Sequence, residues 1–471
     1  MLFNSYVYIF FSLPASFGIY FFLTHKRLLQ AAKAWLVLCS LFFYAYWNAA
    51  YLPLILISIV FNYAVGTALI KSGKKSSEGI PIRPRRTSRK GILCFGVTAN
   101  LLLLGYYKYT DFFISNIRWA AGLNLPLLHI ALPLGISFFT FTQIAFLVDS
   151  YREECQEYDF LNYGLFVTFF PHLIAGPILH HKDLMPQFDR IKNKVLNYKN
   201  ISAGLFIFSI GLCKKVLIAD TVAVWANQGF DHSSLLTFGE AWMISLSYSL
   251  QLYFDFSGYI DMAIGSALLF NIQLPINFDS PYQATTIQDF WRRWHITLSR
   301  FLRDYIYIPL GGNQHGEWRT VVNLMVTFLL GGLWHGASWT FVFWGALHGL
   351  AMVIHRIWGG FGIKMNRFLA WFLTFNFVNA AWVFFRAKTW EDAVHILRGM
   401  AGCNGFGISA DFRTQIPTVL GLTAAVLILK NSSLMRSTFQ PSWKTAALCT
   451  FLACAGIISI TKVSEFIYFN F

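Results

Sequence analysis

Two histidines forty residues apart carry the strongest chemical signal in the sequence. His295 closes Phe290-Trp-Arg-Arg-Trp-His295, and His335 sits within Gly331-Gly-Leu-Trp-His335-Gly-Ala-Ser-Trp339. The second lies in a run apolar enough to enter lipid, where an ionisable side chain is costly and points to function. An imidazole titrating near neutrality can take a proton from a hydroxyl and return it, the step that acyl transfer requires. Gly331, Gly332 and Gly336 leave little bulk beside His335, so another backbone or a ligand can come close. The competing reading is a histidine hydrogen-bonded across a helix interface.

Residues 287–307 are too charged to span a bilayer yet strongly amphipathic. At about 100° per residue, Trp291, Trp294, Leu298, Phe301, Leu302 and Tyr305 share one face. Gln288, Arg292, His295, Ser299 and Arg303 line another. Arg292, Arg293, Arg300 and Arg303 would form a cationic mouth for an anionic donor, guanidinium matching phosphate well. Alternatively the segment lies in the membrane interface, its arginines on lipid head groups and its tryptophans as anchors. Asp255 and Asp261 stand in apolar surroundings within Phe254-Asp255-Phe-Ser-Gly-Tyr-Ile-Asp261. Pairing with the arginines or orienting a histidine is the functional expectation for them, and helix capping the structural one. Neither they nor any other cluster has metal-ligand spacing. His172, His348 and His355, in or beside apolar runs, are read as structural.

These residues must be positioned by membrane helices. Of the 471 residues, 56% are hydrophobic and only 13% charged, about half the charge usual for a soluble protein. Apolar runs recur at 6–23, 32–47, 52–70, 91–107, 127–148, 158–178, 201–223, 239–254, 259–273, 320–335, 338–358, 368–385, 415–430 and 444–461. They imply an all-α polytopic membrane protein of about 10–13 passes, a single domain over 1–471. The first 24 residues are uncharged, which suggests a retained first span rather than a cleaved signal peptide. The net charge of +15 sits in short loops between spans, so the positive-inside rule explains it better than nucleic-acid binding. His25-Lys26-Arg27 and the loop Lys71–Lys90 are therefore cytoplasmic, and the N-terminus outside. Phe170-Pro-His172-Leu-Ile-Ala-Gly-Pro177 must break a helix. It forms either a re-entrant segment lining a cavity or a kinked span. Seven scattered cysteines without a C-x-x-C pair indicate neither a disulfide framework nor a zinc site.

Taken together, six motifs resemble the membrane-bound O-acyltransferase superfamily, in particular the bacterial branch with alginate O-acetyltransferases and the teichoic-acid D-alanylation acyltransferase. They are Leu132-Pro-Leu-Gly-Ile-Ser-Phe138 with Thr140 and Gln143, Phe170–Pro177, Tyr253-Phe-Asp-Phe-Ser-Gly-Tyr259, Phe290–His295, Leu310-Gly-Gly-Asn313 and Gly331–Gly336. The resemblance implies a ring of helices around a thin core, in a bacterial inner membrane. It makes His335 the catalytic histidine and His295 the second active-site histidine, with Asp255, Trp334 and Asn313 supporting. It also implies cytoplasmic acetyl-CoA as donor, with no tightly bound cofactor, and delivery of the acyl group outward.

The chain's last six residues, Phe466-Ile-Tyr468-Phe-Asn-Phe471, are similar to a short aromatic motif in the small partner protein of D-alanylation. The tyrosine there is proposed as an acyl relay, which here would be Tyr468; Asn470 stands where that motif has glutamine. A phenol titrates near pH 10 and needs an adjacent base to act as nucleophile. The plainer reading is an interfacial aromatic anchor. The resemblance thus points to O-acetylation of a cell-envelope or secreted polysaccharide, completed by a separate extracytoplasmic esterase-like partner. Acylation of a lipid or protein, or a transporter using intramembrane histidines and broken helices, are the alternatives.

Overall fold

The computed structural model describes all residues except 74–85, 156, 158, 232–234, 461–465 and 468–471. Among the described residues every regular element is helical. Six helices are long and apolar enough to cross a membrane: Tyr8–His25, Ala49–Ser72, Ser88–Ala121, Tyr198–Phe230, Trp339–Gly360 and Arg367–Arg386. Leu29–Ala45 and Trp443–Ile458 are shorter apolar helices. The protein is therefore a polytopic all-α membrane protein. Its chain divides into two compact units, Met1–Phe208 with Met262–Pro275, and Ser209–Asp261 with Ile276–Phe471.

The first unit is built around the helix Ile136–Tyr151, which is buried along almost its whole length. A helix with no lipid-facing side must satisfy its polar groups internally. Gln143 accordingly donates to Ser58 Oγ at 2.9 Å and accepts from the Tyr163 hydroxyl at 3.3 Å. Asn62 and Asn100 exchange amide hydrogen bonds at 3.1 and 2.7 Å. The helix begins later than the expected 127–148, because residues 122–133 are not helical. The proline-rich segment is broken as its sequence requires, into Phe160–Thr168 and Phe170–Leu173. His172 Nε2 bonds the Phe166 carbonyl at 2.9 Å across the break, a structural role.

The second unit contains both histidines of interest. Its centre is a tight antiparallel hairpin, Gly316–His335 followed by Trp339–Gly360. Glycines make the close approach possible. A Cβ on Gly332 would meet the Phe341 carbonyl and the Gly345 backbone, and one on Gly345 would meet the Phe328 carbonyl. Small residues at a helix seam serve this purpose in lipid, where burial of apolar surface cannot drive association. The space that the glycines beside His335 promise is filled from within the unit, by the Phe341 and Gly345 backbone at Gly332, the Phe341 ring at Gly336 and the Leu302 side chain at Gly331. Arg367–Arg386 packs against the hairpin's second helix, with Phe341 on Phe385 and His348 on Phe377.

Two expected spans, 239–254 and 259–273, are one helix, Phe238–Leu269, which belongs to the second unit as far as Asp261. Asp255 and Asp261 do not interrupt it because both are neutralised by lysines. Gly258 lets the chain at Gly211–Lys215 approach closely, since a Cβ there would lie 2.8 Å from the Gly211 carbonyl oxygen. A π-helical turn, Lys214–Ala219, then presents two successive lysines to the same helix. Lys214 Nζ lies 2.7 Å from Asp261, and Lys215 Nζ lies 2.7 Å from Asp255 and 2.9 Å from Asp220.

The two ends of this unit differ in charge. Arg319, Arg356, Lys364, Arg367, Lys430, Arg436 and Lys444 lie toward one end, where the hairpin starts and finishes. Arg386, Lys388, Arg398 and Arg413 at the other are matched by Asp231, Glu240, Glu391, Asp392 and Asp411. By the positive-inside rule the first end is the one expected on the cytoplasmic side.

Candidate active site

The segment read as one amphipathic helix is two short ones, Ile287–Arg293 and Ile296–Leu302, broken at His295. Thr286 caps the first by accepting from the Asp289 N–H at 3.0 Å. His295 adopts φ 42°, a left-handed conformation rare outside glycine and stored only where surroundings enforce it. Asn277 enforces it. Its carbonyl accepts from Ile296 N at 3.1 Å, and its side-chain Oδ1 accepts from Thr297 N and Thr297 Oγ1, each at 3.0 Å. The break turns His295 away from the arginines and inward, to full burial. The arginine-bearing stripe expected to include it is thereby corrected: Arg292, Arg300 and Arg303 are exposed, and Arg293 is half-buried. Arg293 pairs with Asp289 at 2.9 Å and Arg303 with Asp304 at 2.7 Å.

Asn277 also fixes the tautomer of His295. An oxygen that accepts from a backbone N–H cannot be the amide nitrogen, so His295 Nδ1, at 3.2 Å from it, carries the proton. The lone pair of the neutral ring is therefore on Nε2. Burial holds this imidazole far below its ordinary range, from 6.5 to about 3.

His335 ends its helix and is 2% exposed. Its ring packs against Trp334 at 4.9 Å, Trp344 at 5.2 Å and Phe385 at 5.1 Å. Trp334 also touches His295, at 6.2 Å between ring centroids. One indole therefore contacts both imidazoles, which places Trp334 with the pair. His348 receives a hydrogen bond from Trp291 Nε1 at 3.2 Å and has the structural role expected of it. Asn313 is exposed in the turn before Gly316–His335, at the far end of that helix from His335, about 28 Å away at 1.5 Å per residue. Among the described residues, no group of three or more His, Cys, Asp and Glu side chains could hold a metal.

Asp255 does not pair with an arginine or a histidine, as expected, but with Lys215. Its second oxygen accepts from the backbone N–H of Ile467 at 2.9 Å. This carboxylate thus anchors the C-terminal tail. Phe466, 1% exposed, stacks on Tyr259 at 4.4 Å and lies 5.6 Å from Phe256, whose ring meets His295 edge-on at 4.8 Å. Tyr468 itself lies outside the described residues.

Ile467 lines a cavity of about 580 Å³ at the less basic end of the unit. Phe341 and Phe385 form part of its apolar wall, and Phe385 carries His335 on its other side. The polar wall includes Asn227, Tyr248, Gln251 and Arg386. Among the described residues, the buried Tyr248 hydroxyl and Gln251 Oε1 have no hydrogen-bond partner. A donor and an acceptor left unsatisfied beside a cavity suit a ligand bearing a carbonyl and a hydroxyl. Sequence reasoning missed Asn277, Lys215, Tyr248 and Gln251. A buried asparagine has no spacing signal, and Lys215 lies within the expected span 201–223 with no local sign of its carboxylate partners.

Two buried imidazoles thus share one indole, and one of them packs on the wall of a cavity in a helical membrane protein. Residues 43–388 match the membrane-bound O-acyltransferase family, and the chain belongs to it: it is an O-acyltransferase of the membrane. It is 47% identical to a peptidoglycan O-acetyltransferase of Helicobacter pylori, over 100% of this chain and 98% of that one. It is 39% identical to a probable alginate O-acetylase of Pseudomonas aeruginosa, over 91% and 80%. A teichoic acid D-alanyltransferase of Streptococcus thermophilus is 29% identical over 48% of this chain and 57% of its own.

Proposed function

We propose that this enzyme moves acetyl groups from cytoplasmic acetyl-CoA, across the inner membrane of a bacterium, to a cell-envelope polysaccharide. Peptidoglycan is the favoured polymer, because it is named for the relative that matches over nearly both full lengths. His335 takes the phenolic proton of Tyr468, and the phenolate oxygen attacks the thioester carbonyl. The carbon–sulfur bond breaks, and the departing thiolate recovers the proton from the imidazolium. Neutral His295, with its lone pair on Nε2, orients the reacting groups through hydrogen bonding. Arg292, Arg300 and Arg303, exposed, meet the phosphates of the coenzyme. A separate extracytoplasmic esterase-like partner then transfers acetyl from the tyrosyl ester to a polymer hydroxyl.

The observation that carries this reading is the docking of the tail. Ile467, the residue before Tyr468, is bound to Asp255 and lines the cavity whose wall includes Phe385, the ring that packs on His335. The test is incubation of the purified chain with radiolabelled acetyl-CoA and mapping of the label. The wild type should carry it on the peptide containing Tyr468, and His335→Ala and Tyr468→Phe should carry none. Label elsewhere, or acetyl reaching an acceptor after removal of residues 466–471, would overturn the relay and favour direct acylation of a lipid or protein.

A further inference from the structure

A second cavity, of about 240 Å³, lies at the basic end of the same unit and plays no part in the reactions above. One wall is aliphatic, formed by residues such as Ile218, Ala425, Leu429 and Leu452, and the other is polar, with Lys214, Lys430 and Ser432. Leu429 is 64% exposed and its neighbour Ile428 78%, so the apolar side opens on the surface that faces the bilayer.

Among the described residues, the carboxylates bonded to this wall are Asp261 and Asp279, against the cations Lys214, Lys430 and Arg436, the last following the lining residue Met435. Lys214 donates to Asp261 Oδ2 at 2.7 Å and to Ser432 Oγ at 3.1 Å, two of the three bonds an ammonium can make. Ser432 donates to the other oxygen of Asp261 at 2.8 Å, so both oxygens of that carboxylate are engaged. Asp279, next nearest in the chain to this wall, is held by Asn431 at 2.7 Å. Arg436, which feels the charge of Asp261, has its Nη1 buried without a hydrogen-bond partner among the described residues. A buried guanidinium nitrogen lacking an acceptor is costly, and an anionic oxygen is an acceptor well matched to it.

We propose that this cavity binds the head group of an anionic phospholipid of the cytoplasmic leaflet. Its phosphate sits against Lys214 and Lys430, which line the cavity, and draws in Arg436, the residue after the lining Met435; its acyl chains leave along Leu429 and Ile428 into the membrane. The mouth on the bilayer favours a lipid over a water-borne phosphate. The cationic wall favours an anionic head group over a zwitterionic one, with guanidinium and ammonium both suited to phosphate.

The full-length protein is to be reconstituted in nanodiscs of mixed phosphatidylcholine and phosphatidylglycerol, released in the mass spectrometer, and scored for retained lipid. The wild type should keep phosphatidylglycerol in preference to phosphatidylcholine. Arg436→Ala should lower that retention about tenfold, the factor expected for loss of one charge-assisted contact. Ala425→Trp, which fills the apolar wall, should lower it as well, and Lys444→Ala, a basic-end change outside the cavity, should not. Equal retention of the two lipids, equal effects of Arg436→Ala and Lys444→Ala, or retention of coenzyme A instead of lipid would each overturn the proposal. Acetyl transfer measured on the same variants keeps a failure here distinct from a failure of the Tyr468 relay.

Discussion

Asp255 holds the backbone of Ile467 with one carboxylate oxygen and the ammonium of Lys215 with the other, at 2.9 and 2.7 Å. The same side chain thus completes a buried ion pair and ties the C-terminal tail to the helix beside His295. Removing one partner of such a pair leaves an uncompensated charge, at a cost of about 3–5 kcal/mol. Asp255→Ala should therefore lower the thermal stability of the detergent-purified protein, and Asp255→Leu with Lys215→Met should recover most of it. Transfer should stay impaired in the double variant, because the tail has lost its anchor. Thermal unfolding and acetyl transfer, measured side by side, check the two halves of this statement.

The burial of His295 makes a pH prediction. In the folded protein His295 stays neutral down to about pH 3, whereas in the unfolded chain it takes a proton near pH 6.5. Stability from this group is therefore fully present above pH 6.5. It is lost as pH falls toward 3, by about 1.4 kcal/mol per unit. The melting temperature of the wild type should fall over this window, and His295→Gln should flatten the slope. Asn277→Leu, which removes the oxygen that fixes the tautomer, should depress kcat more than KM.

Gly332 sets the close packing of the hairpin whose first helix ends in His335. Gly332→Leu should separate the two helices and abolish transfer, whereas Gly359→Leu, with no atom within 4 Å of its Cβ position, should be near neutral. Expression level and size-exclusion profile in detergent, with activity, distinguish the two.

Arg292 and Arg300 are exposed, so replacing both by glutamate should leave the fold intact. The apparent KM for acetyl-CoA should rise steeply at low salt, and the difference from wild type should shrink as added salt screens the charges. An unchanged KM would remove these arginines from the donor path.

Much of the site was legible in the sequence, and the failures share a cause. The motifs located His295, His335, Trp334 and the tail, and hydropathy found most of the helices. Periodicity placed His295 on a continuous helix with the arginines, because Trp294 and His295 carry no glycine or proline to announce a break. That break is imposed by Asn277, eighteen positions earlier, and tertiary hydrogen bonds of this kind leave no local trace. Asp255 falls in the gap left between the expected spans 239–254 and 259–273, and pairing with arginines or a histidine is the expectation for it and Asp261 because charges in an apolar run are expensive. Their lysine partners lie some forty positions upstream, brought to them by a π-turn that composition does not reveal.

The ring of Phe385 lines the cavity on one side and packs on His335, an imidazole only 2% exposed, on the other. On the relay proposed above, Tyr468 would have to pass this ring to meet His335, so its displacement would be part of each turnover. An acyl group held behind it would be screened from bulk water.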